Sequence, residues 1–485
     1  MCGLIAISGS TNAAYEVFFG LMNLQHRGQD GAGILAIEQN GANTFNIQKG
    51  SGLVSNIFSE HTLRNINSQV ALGHTRYSTI GQNDPNLLQP FLNYETGIAI
   101  GHNGNIVNFY SLLDKLNTED PHAAANIESD SALILALLTK ALNNQQINCT
   151  TVFGAIKDCT QKLVGSYSVL GITKNKDVFG FRDPNGIRPL VLGKRMGKHG
   201  EIIYGLASET VALSFLGFND LEDVKPGEAI YIDAKGKLSR KIIQQDKISP
   251  CMFEWVYFSR VESKWENQCV YAARFKLGKI LADQLKEKGI SADLVIPVPE
   301  TSRVAAIALA ETLDIPFREV LIKNRYINRT FILDDQASRQ EAIRRKLFPI
   351  GDEIKDKDCL LVDDSIVRGN TSAQIVRLMR QAGASKITIV STCPPIISPC
   401  YYGIDFPSPN ELISYNRTAE QVASETGADA VIFQTLDGLK KALGKESLCL
   451  GCLTADYPTD ITSASDFETR RLEDRALSVQ IKNKC

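Results

Sequence analysis

A cysteine stands second in the chain, directly behind Met1 and before Gly3, in the opening "MCGLIAIS". Trimming of the methionine would leave a thiol and a free α-amine on one residue, a pair able to act as nucleophile and base together. A second chemistry is written in "CLLVDDSIVRGNTSAQIVRLM": apolar residues, the adjacent acids Asp363 and Asp364, a short loop with one glycine, then a helix that Thr371 or Ser372 is expected to cap. A loop of this kind aims successive backbone N–H groups at a helix N-terminus, where a phosphate monoester is well held. Two neighbouring carboxylates suit the cis diol of a ribose or a magnesium ion. The plain alternative is a capped helix with two solvated acids at a strand end. A Walker-type GxxxxGK[ST] is absent, so ordinary nucleotide hydrolysis loses ground. The third candidate is "CLGC" at 449–452, a knuckle that turns two thiolates toward one ion and on its own favours zinc or a redox pair.

These residues need elements to position them. Residues 1 to about 240 read as short strands broken by glycine-rich turns ("CGLIAIS", "GAGILAI", "QVALGHTRYST", "GIAIGHNGNIV", "SYSVLGIT"), interrupted by two helical stretches, "AYEVFFGLMNLQHR" and "SDSALILALLTKALN". That pattern predicts sheets covered by helices. From about 270 to 445 apolar strands such as "ADLVIPVP", "DCLLVDDS", "KITIVST" and "ADAVIFQT" alternate with helices, which predicts a parallel, doubly wound sheet. The expected division is 2–240, a polar linker at 242–250, 250–460, and a polar tail at 461–485.

Composition narrows the classes. A chain of 485 residues holds two to four domains, and a formal charge of −2 argues against nucleic acid as the main partner. No apolar run reaches the ~18 residues of a membrane span and no secretory signal opens the chain, so the expectation is a cytoplasmic protein without a membrane partner. Eleven cysteines at this length are too sparse for a disulfide scaffold and are expected to be thiols, metal ligands or a nucleophile.

With those motifs in place the chain resembles the glutamine phosphoribosylpyrophosphate amidotransferase (amidophosphoribosyltransferase) family from Cys2 to about Thr459. The resemblance implies an α+β N-terminal nucleophile hydrolase of four layers, αββα, followed by an α/β type I phosphoribosyltransferase domain. It implies glutamine-dependent formation of 5-phosphoribosylamine, with glutamine and phosphoribosylpyrophosphate as substrates. Cys2 is then the nucleophile; Asn103 and Gly104 of "GHNGNIVN" form the oxyanion hole; Arg76 of "GHTRYST" and Asp130 of "ESDS" bind the α-carboxylate and α-amine of glutamine. Arg27 and Gly28 of "LQHRGQD", with "RDPNGIRPL" and "ASET", are expected to shape the pocket and interface, and His26, His74 and His102 to be structural hydrogen-bonding residues. In the second half Asp363 and Asp364 bind the ribose hydroxyls and, with Thr301 of "PVPETS", surround Mg2+. Ser365, Val367, Arg368, Gly369, Asn370 and Thr371 hold the 5'-phosphate. The segment "IKNRYINRTFI" and "RRKL" resemble a loop closing over pyrophosphate, with Lys323, Arg325, Arg329, Arg345 and Lys346 as cations; a solvated basic loop is the plain alternative.

One branch of the family implies a 4Fe-4S cluster on Cys251 ("CMFEWVYF"), Cys400 ("SPCYYGID"), Cys449 and Cys452, pinning the C-terminal segment; structural zinc is the alternative. The family also suggests purine nucleotides as feedback inhibitors and a homotetramer. The chain departs from the pattern at Val261, Glu262 and Ser263, where Pro-Asp-Ser is usual, and at Asn328 and Asn370, where Gly and Thr are usual. Another class II glutamine amidotransferase, or a regulator that only senses phosphoribosylpyrophosphate, are the rival readings; the first would need sugar-isomerase or ATP-binding features, and an intact Cys2 constellation argues against the second.

Overall fold

The structure, a computed structural model, describes residues 1–40, 42–77, 84–324, 347–406, 408–464 and 469–470. Its first half is built on two antiparallel sheets. One has seven strands in the spatial order Asp220–Asp223, Val191–Met196, Ile202–Ala207, Gly3–Ser8, Ser68–Arg76, Gly31–Asn40 and Ala42–Ser51. The other has six, in the order Leu238–Ile242, Glu228–Ile232, Val178–Arg182, Gly165–Thr173, Ile98–Ile106 and Phe91–Asn93.

Alternation along each strand decides the layering, because successive side chains leave a strand on opposite faces. Leu4 and Ala6 enter the space between the sheets, where they meet Leu72 from their own sheet and Ala99, Leu170 and Ile172 from the other. Ile5 and Ile7 point the other way, onto Ala14, Val17 and Leu21 of the helix Ala13–Asn23. On the far side Ile98, Ile100 and Val169 pack under the helices Asp130–Leu142 and Cys149–Thr160. The result is helix, sheet, sheet, helix, the expected αββα arrangement. The helices Phe109–Glu119 and Cys149–Thr160 were not anticipated; the second is started by a capping box between Asn148 and Thr151.

The second half carries a four-stranded parallel sheet, Leu294–Pro297, Asp358–Asp363, Lys386–Ser391 and Ala430–Phe433. Helices Val270–Glu287, Arg303–Leu313, Asn370–Gln381, Ala419–Thr426 and Leu436–Leu443 accompany it, as the alternation predicted. Apolar side chains fill both of its faces, Ile296, Leu361 and Ile389 on one and Val295, Leu360 and Val390 on the other. The residues at 243–250 run along the first half, with N–H groups of Ile243 and Ser249 donating to Gly227 and Asn185. Between the halves lies a further core in which Met1, Val107 and Ile187 meet Trp255, Tyr402 and Leu439. Among the described residues no helix is long and apolar enough to cross a membrane.

Candidate active site

Cys2 sits half-buried at the head of the strand Gly3–Ser8, inside the seven-stranded sheet. Its backbone nitrogen donates to Asn103 Oδ1 at 3.0 Å, and its Sγ lies 4.0 Å from the carbonyl oxygen of Tyr77. The other end of that Asn103 amide, Nδ2, is buried with no hydrogen-bond partner. Gly104 follows with φ of 155°, and a Cβ there would stand 2.0 Å from the carbonyl oxygen of Ser166, so only glycine fits. An orphaned donor beside a thiol is a place where a developing oxyanion is stabilised.

Arg76 ends the strand Ser68–Arg76, and its Nη1 donates to the carbonyl of Asp84 at 3.0 Å. Burial lowers the pKa of its guanidinium, with Cys2, Asp30 and Asp84 working against that. Asp130 opens the helix Asp130–Leu142, a position where the helix dipole favours an anion. Burial would raise its pKa, but His102 at 3.6 Å and the N–H groups of Ser131 at 2.8 Å and Ile106 at 3.3 Å outweigh that and hold it below the usual carboxylate range. His102 is held in turn by Ser131 Oγ at 3.0 Å, and Ser131 by Gln89 Nε2 at 2.9 Å. Sequence reasoning gave no role to Ser131, although it closes the "ESDS" motif, and missed Gln89, which sits in no periodic or spaced motif. His26 bonds Glu209 at 2.7 Å. His74 departs from its expected role: neither ring nitrogen makes a well-formed hydrogen bond, and burial drives its pKa down to about 3. Gly28 lets the chain pass against Arg76, since a Cβ would lie 2.4 Å from the Arg76 carbonyl carbon.

In the second half Asp363 closes the strand Asp358–Asp363, and the loop runs through Asp364 to Gly369 before the helix Asn370–Gln381. The N-cap is Gly369, at φ of 77°, with Ile413 so near that a Cβ would stand 2.2 Å from its Cδ1. This corrects the expectation that Thr371 or Ser372 caps the helix: the left-handed glycine turns the chain early, which leaves Thr371 exposed and Ser372 buried in the first turn. Asp364 N–H donates to Asp363 Oδ1 at 2.9 Å, and Ser365 Oγ donates to Asp364 Oδ1 at 2.7 Å. Burial raises the pKa of both carboxyls, their mutual repulsion adding to it at Asp363, while Arg274 offsets part of it at Asp364. Thr392 holds the main chain of both acids, its N–H on the Asp363 oxygen at 2.9 Å and its hydroxyl on that of Asp364 at 3.1 Å.

Pro297 pairs in register with Val362, so the turn carrying Thr301 opens at the same sheet end as the acids. Val367 accepts from Ile413 N–H at 2.9 Å, and the exposed Arg368 reaches Glu411 at 3.1 Å. Lys323 is the exposed last residue of the short strand Leu321–Lys323. Arg325, Asn328, Arg329, Arg345 and Lys346 lie outside the described residues.

Two adjacent carboxylates, Asp363 buried and Asp364 half-buried, whose surroundings resist ionisation fit a divalent cation, which supplies the missing positive charge. The four cysteines converge. Cys251 and Cys449 form an isolated parallel bridge, Cys400 Sγ accepts from Tyr402 N–H at 3.4 Å, and burial pushes the Cys251 thiol up to about 11. Cys452 shares an electrostatic neighbourhood with the other three, and the buried Arg188 guanidinium senses Cys251, Cys400 and Cys449. No group of three or more His, Cys, Asp or Glu among the described residues is arranged to hold a metal ion.

A family model described as a glutamine amidotransferase domain matches residues 74–214, and one described as a phosphoribosyl transferase domain matches residues 270–398. Curated relatives named amidophosphoribosyltransferase are 38% identical over the full length of both chains in Pasteurella multocida and 41% identical in Escherichia coli, covering 92% of this chain and 89% of that one. Among solved structures, a glutamine phosphoribosylpyrophosphate amidotransferase from B. subtilis complexed with ADP and GMP superposes with a TM-score of 0.82 at 36% identity, over 95% of this chain and 98% of that chain. Full-length kinship at this level, on a fold whose two halves present a thiol site and an acid-pair site, places the chain in the amidophosphoribosyltransferase family.

Proposed function

We propose that this enzyme releases ammonia from glutamine at Cys2 and joins it to C1 of phosphoribosylpyrophosphate, giving 5-phosphoribosylamine, glutamate and pyrophosphate, the first committed step of purine synthesis. With Met1 trimmed, the nitrogen now bonded to Asn103 becomes the α-amine that takes the thiol proton. The Cys2 thiolate adds to the side-chain amide carbon. The oxyanion is received by Asn103 Nδ2 and the Gly104 N–H, ammonia leaves with the proton, and water hydrolyses the thioester to glutamate. Arg76 pairs with the α-carboxylate of glutamine and Asp130, kept charged by His102 and its backbone donors, with the α-ammonium.

Ammonia then displaces pyrophosphate. Asp363 and Asp364 grip the ribose hydroxyls, and the amides of Ser365 to Thr371 receive the 5'-phosphate at the helix start. The same two acids, with Thr301, would hold Mg2+, which neutralises charge on the leaving pyrophosphate. Cys251, Cys400, Cys449 and Cys452 would hold a 4Fe-4S cluster with a structural role, tying the C-terminal segment to the start of the second half. Purine nucleotides are the feedback ligands, a reading supported by the ADP and GMP in the B. subtilis relative, and the assembly is a cytoplasmic homotetramer.

The observation that carries this reading is how closely the second half packs against the thiol site. A Cβ on Gly403 would lie 2.8 Å from the carbonyl oxygen of Gly104, Asn105 Nδ2 donates to the Tyr401 oxygen at 2.9 Å, and Met1 is buried in the core between the halves. The decisive test is Cys2→Ala assayed with each nitrogen source. We expect glutamine-dependent synthesis to fall by about 1,000-fold or more while ammonia-dependent synthesis stays within twofold of wild type. Equal loss with both would overturn the two-site reading.

A further inference from the structure

The chemistry above leaves one group of buried charges unused. Arg27, on the turn Gln25–Arg27, is enclosed, and its guanidinium is engaged on all three sides. Nε donates to the main-chain oxygen of Cys2 at 3.1 Å, Nη1 to Glu209 at 2.5 Å, and Nη2 to both carboxylate oxygens of Glu254 at 2.8 and 2.9 Å. Glu209 belongs to the first half, yet it also accepts from second-half donors, the Arg260 N–H at 3.0 Å and Ser263 Oγ at 2.8 Å. Glu254 comes from the second half. It is enclosed too, and accepts further from Ser259 Oγ at 3.2 Å and Arg188 Nη1 at 3.4 Å.

A planar fork bonded in three directions has no freedom to swing. The carbonyl of the residue bearing the thiol is therefore fixed by an arginine whose own orientation is set by a carboxylate from the other half. A purely structural ion pair would have no need to reach the main chain of Cys2. Burying this many charges is also poor value for stability alone, since buried ion pairs often gain little over apolar packing.

We propose that Glu254 is a positioning residue for amide cleavage. Through Arg27 it holds the Cys2 main chain so that thiol and amine meet the glutamine amide, and it makes nitrogen release depend on docking of the second half. This rests on the reading of Cys2 as the nucleophile.

Three variants of the full-length protein test it: Glu254→Gln, which keeps volume and one acceptor; Glu254→Asp, which keeps the charge; and the pair Arg27→Met with Glu254→Gln, which removes both charges and leaves neither buried alone. Glutamine hydrolysis, ammonia-dependent synthesis and the rate of Cys2 alkylation by iodoacetamide, read by peptide mass, are measured on each. For Glu254→Gln and the paired variant we expect kcat for glutamine hydrolysis to drop about 100-fold, as a misplacement near 1 Å would cause. KM for glutamine should stay within threefold, Cys2 alkylation should change severalfold, and ammonia-dependent synthesis should stay within twofold; Glu254→Asp should recover part of kcat. Wild-type kcat in a folded neutral variant overturns the proposal, as does equal loss with both nitrogen sources, or failure of all three variants to fold, which would mark the group as a folding element. If wild-type enzyme hydrolysed no glutamine, the functional reading itself would fall; hydrolysis indifferent to Glu254 removes only the positioning role.

Discussion

Asp130 and the Asp363–Asp364 pair are acids withdrawn at least in part from solvent, and the chain treats them in opposite ways. Around Asp130 it supplies a histidine, two backbone N–H groups and a helix start, so the charge is provided for before any ligand arrives. Around Asp363 and Asp364 it supplies one backbone N–H, that of Asp364, to the first carboxylate and one serine hydroxyl to the second, with Arg274 offsetting only part of the burial cost at Asp364, which leaves the pair short of positive charge. The glutamine side is thus finished by the fold, whereas the phosphoribosyl side is completed by what binds. A preorganised pocket and a ligand-completed one call for different perturbations.

Of the two acid sites, the larger effect is expected at the unfinished one. Asp364→Asn should lower synthesis with glutamine and with ammonia alike, by roughly 100-fold or more, because it removes charge that the transition state needs; steady-state rates with both nitrogen sources check this. A smaller and one-sided effect is expected at the finished site: Asp130→Asn should raise KM for glutamine roughly 10- to 100-fold, the worth of a hydrogen bond to a charged group, and leave ammonia-dependent synthesis unchanged. If the Asp130 variant harmed both reactions equally, the contrast between the sites would break.

The third expectation is thermodynamic. Carboxyls with raised pKa bind protons more readily in the folded than in the unfolded protein, so the pair costs stability as pH rises from the ordinary carboxylate pKa through the raised values. Mg2+ binds the deprotonated pair and relieves that cost. Its stabilising effect should therefore be small near pH 5 and grow toward pH 8, a difference of a few degrees in Tm by scanning calorimetry, and the dependence should shrink in Asp364→Asn.

The sequence was most legible where one signal had one cause. The parallel sheet announced itself because strands buried on both faces must be apolar throughout, as "CLLV" and "KITIV" are. The helix Phe109–Glu119 was missed because half its surface meets water and "FYSLLDKLNTE" is too mixed to stand out beside the turn before it. The helix start at Asn370 was misplaced because Ser and Thr are the usual caps, and a left-handed Gly369 made them unnecessary. Cys2, Asn103, Gly104, Arg76 and Asp130 come together from four separate stretches of chain, a convergence carried by the family resemblance and not by any local pattern. Glu254 did have a signal: a single acid inside the apolar run "MFEWVYF" must be neutralised by something, and Arg27 is what neutralises it.

The meeting of Gly403 with Gly104 has a bearing on heredity. Neither residue tolerates even a methyl group, since each would drive a Cβ into main-chain oxygen. A chimera that borrows one half from a relative rebuilds this seam from two parents: a larger residue at 403 would pry apart two units whose sequences are otherwise separable, and one at 104 would distort the first half against Ser166. Recombination between lineages should consequently preserve the two glycines together, long after the surfaces around them have diverged.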